Sequence, residues 1–192
     1  MIGKIFSTIL LTAIIFFAGN VSAAPRITYQ ASVQDIGWMN SVRDGETAGT
    51  TDRGKRLEAI VINFSDGIEY NAHVQDVGWQ GWTHSGGVAG TVGESRRMEG
   101  IRIRLTGSLA DSYDVIYRAH VQNIGWQKWV KNGSLAGTEG EGLRLEALQI
   151  RIVKKGSDDY ERDEYNRGRY NRDRYDDDYD RDRRGRYDER RW

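Results

Sequence analysis

The sequence predicts an all-β domain of three repeats closed about a pseudo-threefold axis, and three observations predict it. A ten-residue phrase recurs as YQASVQDIGW at Tyr29–Trp38, YNAHVQDVGW at Tyr70–Trp79 and YRAHVQNIGW at Tyr117–Trp126. Each copy leads, at identical spacing, to an AGT (Ala48–Thr50, Ala89–Thr91, Ala136–Thr138) and then to Arg56-Leu57-Glu58, Arg97-Met98-Glu99 or Arg144-Leu145-Glu146. The repeated stretches also alternate polar with apolar residues at a period of two, the mark of half-buried strands. Lastly, no stretch shows helical periodicity, and the single proline, Pro25, lies outside the repeats. Units of this length cannot each bury a face alone, so they must share a core.

The chain begins with one positive charge, Lys4, then an apolar run Ile5–Ala18 and a small-x-small ending at Val21-Ser22-Ala23. That order predicts a secretory signal peptide at residues 1–23, cleaved after Ala23. The run falls short of the ~20 apolar residues a spanning helix needs, so no membrane span is expected after cleavage. No cysteine occurs, which excludes a disulfide framework and a lipid-modified cysteine. Lys and Arg balance Asp and Glu to a formal charge of zero and are interleaved with them, which argues against a nucleic-acid binder.

Within the domain, expected at residues 24–155, the repeats run over 29–64, 70–105 and 117–152. In the second, Tyr70, Ala72 and Val74 alternate with Asn71, His73 and Gln75 as an opening strand; the matching outward rows are Gln30, Ser32, Gln34 and Arg118, His120, Gln122. Gly78 then breaks the strand and re-aims Trp79. Trp79–Trp82 leads through His84-Ser85-Gly86-Gly87 into a turn, repeated in the third unit by Trp126–Trp129 and Lys131-Asn132-Gly133. The AGT stretches read as short extended pieces followed by loops.

A closing strand follows in each unit: Ile60, Ile62, Phe64; Ile101, Ile103, Leu105; and Leu148, Ile150, Ile152 point inward, opposite Asn63, Arg102, Arg104, Gln149 and Arg151. The alternation slips at Leu57–Ile60. Either a bulge near Glu58–Ala59 resets it or Arg56 and Glu58 turn inward as a pair. The bulge is the cheaper solution because a buried ion pair loses attraction to desolvation. Asp66-Gly67 reads as a hairpin turn, so the closing strand of one unit is expected to pair with the opening strand of the next. Three such units suit either a β-prism of three sheets or a β-trefoil. The Gln-x-Trp of Gln80–Trp82 and Gln127–Trp129 is trefoil-like but falls early in each unit, so the prism-like form is favoured.

From Gly156 to Trp192 the composition changes to Tyr, Arg, Asp, Glu, Asn and Gly, with no Leu, Ile, Val, Met or Phe. Such a segment cannot offset the entropy of ordering and is expected to be a disordered tail. It reads either as a solvated spacer or as a polyampholyte making Tyr–Arg contacts with a surface.

These phrases resemble the clostridial hydrophobic repeat with a conserved Trp, the ChW family. Its pattern stands here as Val74-Gln75, Gly78-Trp79, Trp82, Ala89–Thr91, Gly93 and Arg97-Met98-Glu99-Gly100-Ile101, and again in the third unit. The first unit departs at Ser41, in place of the second Trp, and at Asp52, in place of the loop Gly. The resemblance implies an exported or surface-associated repeat module that binds cell-surface or carbohydrate partners. It further implies that the first unit lacks any contact that needs the second Trp.

The candidate site residues follow from recurrence. Trp38, Trp79 and Trp126 occur in every unit after a Gly and are expected as structural core anchors, with Glu58, Glu99 and Glu146 holding the bulged corner. Trp82 and Trp129, absent from the first unit, either stack on a ligand such as a sugar ring or merely cover the ends of the core. Gln34, Gln75 and Gln122 could orient such a ligand by hydrogen bonds. His73, His84 and His120 cannot supply the three or four converging ligands of a metal site, and no cofactor is expected. The function expected is a non-enzymatic binding module for a glycan or cell-surface polymer. The alternatives are a matrix spacer whose tail makes the contacts and, as a minority reading, a glycoside hydrolase using the repeated glutamates. The oligomeric state stays open.

Overall fold

The computed structural model describes residues Pro25–Ser157; the expected signal peptide and nearly all of the expected tail lie outside them. The first repeat supplies β1 (Thr28–Val33), β2 (Gly37–Trp38), β3 (Val42–Arg43), β4 (Ala48–Gly49) and β5 (Leu57–Asn63). The second supplies β6 (Ile68–Val74), β7 (Gly78–Trp79), β8 (Thr83–His84), β9 (Val88–Gly90) and β10 (Met98–Leu105). In the third, β11 (Tyr113–Val121), β12 (Gly125–Trp126), β13 (Val130–Lys131), β14 (Ala136–Gly137) and β15 (Leu145–Lys154) complete the series. Every pairing is antiparallel, and among the described residues no helix is long and apolar enough to cross a membrane.

The strands form three five-stranded sheets, the three-sheet form that the sequence favours. In each sheet the opening strand pairs with the closing strand of its own repeat, β1 with β5, β6 with β10 and β11 with β15. The outer edge of each closing strand takes the AGT strand of the next repeat: β9 on β5 and β14 on β10. The first repeat's β4 in turn pairs with β15 of the third, Ala48 opposite Leu148 and Gly49 opposite Ala147. This cyclic exchange closes the ring.

The hairpin expected between successive units does not form. Both edges of β5 are occupied, by β1 and β9, so it has no hydrogen-bonding groups left for β6. Asp66-Gly67 instead turns the chain from one sheet into the next. The Asp66 carboxylate accepts hydrogen bonds from the Leu109 N–H at 2.6 Å and the Ser108 hydroxyl at 2.8 Å, in the 3-10 turn Ser108–Asp111. That turn is the additional stretch before the third repeat.

The bulge at the closing strand is present three times. Register shifts so that Glu58, Glu99 and Glu146 are passed over opposite Ser32/Val33, the Val74/His73 step and His120/Val121. The favoured solution holds: the bulge resets the phase, and its glutamate pairs on the outer side, not in the core, with the arginine two residues before it.

At the centre, Tyr29, Tyr70 and Tyr117 are fully buried. Each hydroxyl accepts from a backbone N–H of the preceding repeat in the ring: Ile150 at 3.1 Å, Ile62 at 3.0 Å and Ile103 at 3.0 Å. Each also donates within its own repeat, to the carbonyl of Glu46, Gly87 or Ser134. A buried phenol needs such partners, and here they tie one sheet to the next.

Candidate functional site

The inward rows Tyr29, Ala31, Val33 and Leu57, Ile60, Ile62 build the core, which leaves the alternate residues of every sheet on an outer face. The register sets those faces out in rows. In the first repeat Trp38 stands across from Ser32, and Ser32 across from Ala59; the next rows are Gln30–Val61–Val88 and Arg43–Thr28–Asn63. The equivalent rows of the second repeat are Trp79–His73–Gly100, then Asn71–Arg102, then His84–Glu69–Arg104. In the third they are Trp126–His120–Ala147, then Arg118–Gln149, then Lys131–Ile116–Arg151.

Trp38, Trp79 and Trp126 therefore lie on the outer faces and not in the core, where the sequence reading put them. Gly37, Gly78 and Gly125 all adopt positive φ, and the tight turn they make returns the chain alongside the opening strand with the indole facing out. The residues that do anchor the core at equivalent positions are the three tyrosines that open each phrase. The faces are also less solvated than alternation predicts: Ser32, beside Trp38, and Asn71, one row from Trp79, are both buried.

In the second and third repeats the indoles are covered by arginines from neighbouring strands. The Arg102 guanidinium lies 4.0 Å from the centre of Trp79, and that of Arg104 lies 4.1 Å from Trp82. Arg104 is held in turn by Glu69 at 2.6 Å. In the third repeat Arg118 reaches both Trp126, at 4.9 Å, and Trp129, at 4.7 Å. Such stacks contribute about 0.5–1 kcal/mol each at exposed sites. Trp129 is only 5% exposed, packed with Ile116 and Val153, so it covers the sheet and offers no face to a ligand. Trp82 is 36% exposed beneath Arg104. Among the described residues no guanidinium lies over Trp38, which is 39% exposed.

Beneath the Trp residues sit the bulge glutamates. Arg56, Arg97 and Arg144 donate to one oxygen of Glu58, Glu99 and Glu146 at 2.7–3.0 Å. The other oxygen of Glu99 is 3.1 Å from His73 Nδ1, and that of Glu146 is 3.0 Å from His120 Nδ1. Each imidazole meets its Trp edge-on, at 5.3 Å and 5.4 Å between ring centres. Each carboxylate is held by the arginine of its own repeat, and Glu99 and Glu146 also lie against a histidine, a holding arrangement rather than a pair flanking a cleft. Gln34, Gln75 and Gln122 are half-buried; their backbone N–H groups donate across the bulge to the carbonyls of Arg56, Arg97 and Arg144. The structure does not gather them with Trp82 or Trp129 into one site.

The Gln of each Gln-x-Trp has a role that sequence reading missed. Gln80 accepts from Gly90 N–H at 2.7 Å and donates to the Gly90 carbonyl at 3.0 Å; Gln127 does the same with Gly137 at 2.6 Å and 3.0 Å. The side-chain amide thus acts as a substitute strand partner on the AGT strand, and Met39 cannot do so in the first repeat. Gln80→Ala and Gln127→Ala are each expected to lower stability by about 2 kcal/mol in urea unfolding, since two hydrogen bonds are lost together. A change within about 0.3 kcal/mol would show that the clamp contributes nothing.

The Clostridial hydrophobic W family matches the chain three times, at residues 33–66, 73–107 and 120–154. Among curated proteins and among solved structures nothing matches it.

Proposed function

The chain belongs to the Clostridial hydrophobic W family, whose repeats serve binding or structural roles, and on that premise we propose that it is an exported, non-enzymatic module that binds a carbohydrate or other cell-surface polymer. The observation that carries the reading is the placement of the recurring Trp residues on the outer faces of the sheets, with Trp38 across from Ser32 and one row from Gln30. An indole fixed on a sheet stacks on a sugar ring with little ordering cost, and neighbouring amides can both donate to and accept from its hydroxyls. Export rests on the signal-peptide pattern of residues 1–23.

The covered indoles of the second and third repeats favour a structural role for those two units. A matrix role carried by residues 156–192 is the second reading, and one experiment separates it from the first. The chains Ala24–Gly156 and Ala24–Trp192 are incubated with insoluble polysaccharides and purified cell walls at low and moderate salt. Retention of the shorter chain that resists salt is the expected result. Retention of the longer chain alone, lost as salt screens its charges, would move binding to the tail. Release of reducing ends from the retained polysaccharide would overturn the non-enzymatic reading.

A further inference from the structure

The first repeat departs from the other two at the positions that decide whether a flat ligand can reach an indole. By register, Val61 and Asn63 occupy the places of Arg102 and Arg104, opposite Gln30 and Thr28 where the second repeat has Asn71 and Glu69. A valine and a short amide cannot extend over a neighbouring ring as a guanidinium does. Among the described residues, Trp38 is consequently the indole on the outer faces that no arginine covers.

The surface beside it is chemically uniform. The row next to Trp38 holds Gln30 and Val61, half-buried, and Val88, 49% exposed. The row after that holds Thr28 and exposed Asn63, with Arg43 at its far end. Across the first two rows there is no ionisable side chain, whereas the same rows of the other repeats carry Arg102 and His73 or Arg118 and His120. Arg56 and Glu58 at the bulge beneath Trp38 neutralise each other at 2.7 Å, so these two rows offer an anionic polymer no net positive charge. A ring with C–H groups on its face and hydroxyls at its rim matches an indole and two valines bordered by amide and hydroxyl groups.

On the carbohydrate reading given above, we infer that the glycan site of this domain is single. It lies on the outer face of the first repeat around Trp38, Gln30, Val61, Val88 and Asn63, and takes an uncharged polysaccharide. In the second and third repeats arginines occupy the indole faces that such a ring would stack on, at 4.0 Å over Trp79, 4.1 Å over Trp82 and 4.9 Å over Trp126. Sequence reasoning points the other way, since the first repeat lacks the second Trp. That absence does not matter, because Trp82 stacks under Arg104 and Trp129 is buried.

The test uses the Ala24–Trp192 chain in affinity gel electrophoresis against hydroxyethylcellulose, a soluble β-1,3-glucan and a mannan as neutral probes, with polygalacturonate as the anionic one. The wild type is expected to be retarded by at least one neutral probe. Trp38→Ala should weaken that retardation roughly tenfold or more, as loss of a central aromatic contact does. The variant Val61→Arg should do the same by covering Trp38 as Arg102 covers Trp79, with an unchanged melting temperature showing that the fold is intact. Arg102→Val/Arg104→Asn should add a second site. Neutral-probe binding that survives Trp38→Ala but is lost in Trp79→Ala or Trp126→Ala would overturn the inference while leaving the carbohydrate reading in place. Retardation by polygalacturonate alone would do likewise. Absence of retardation by all four probes, with no retention on insoluble polysaccharide or cell wall, would overturn both.

Discussion

Gly90→Ala is expected to cost the domain roughly 3–5 kcal/mol, enough to unfold a marginal protein. Gly90 sits in the AGT strand of the second repeat at φ +100°. A Cβ built there would lie 2.3 Å from the Glu58 carbonyl oxygen and 2.7 Å from the Ala59 Cα, both backbone atoms of the neighbouring repeat. That backbone cannot retreat: the Glu58 carbonyl accepts the Thr91 N–H at 2.8 Å, and the segment is the bulge itself. Gly49 and Gly137 repeat the geometry against the carbonyls of Glu146 and Glu99, at 2.4 Å and 2.3 Å. Gly93→Ala supplies the control, because Gly93 also has positive φ, +75°, but nothing within 4 Å of its Cβ position. It should cost only about 1 kcal/mol. Urea unfolding of both variants checks the argument; equal losses would mean that the close approach between repeats is not what demands glycine.

Above about pH 10 the domain is expected to lose stability steeply, through the tyrosines at its centre. Burial pushes Tyr29 and Tyr117 up to about 12 and raises Tyr70, against the smaller opposing effect of the N–H groups that their hydroxyls accept. The folded chain therefore keeps protons that unfolded tyrosines release near pH 10. Stability is complete below that pH and falls as pH rises from about 10 through about 12. Tyr29 and Tyr117 each contribute about 3 kcal/mol across that window. Unfolding free energy measured from pH 8 to pH 12 should show the decline. Tyr117→Phe should flatten it while costing about 1–3 kcal/mol at neutral pH, where the Ile103 N–H is left without its partner. Phenolate absorbance from the central tyrosines in a chain that remains folded at pH 11 would contradict this account.

Some features were legible from spacing alone because they are local. Three in-phase copies determine three equivalent units. Period-two alternation determines which residues of Tyr70–Val74 and Ile101–Leu105 face the core. The slip between Leu57 and Ile60 signals a bulge near Glu58, since residues three apart on a regular strand point to opposite faces. The AGT triplet was visible in the same way, though its reason was not. Only the approach of Gly90 to a backbone in another repeat explains why the middle residue must be glycine.

The tertiary structure decided whatever depends on which edges meet. A strand edge is satisfied by any partner of suitable length, so the sequence around Asp66-Gly67 is compatible with a hairpin. The outcome turned on β9 occupying the second edge of β5 and on β4 closing the ring against β15. The Trp residues were ambiguous for a related reason. An indole after a turn glycine suits a core or a surface equally well, and its side was set by the register that places Trp38 across from Ser32 and not from Val33. Whether its face is open was set one strand further away, by arginine at 102 and 104 and by valine and asparagine at 61 and 63. Composition and periodicity determine what each strand is; long-range pairing determines what each side chain lies against, because register joins residues that the local pattern never compares.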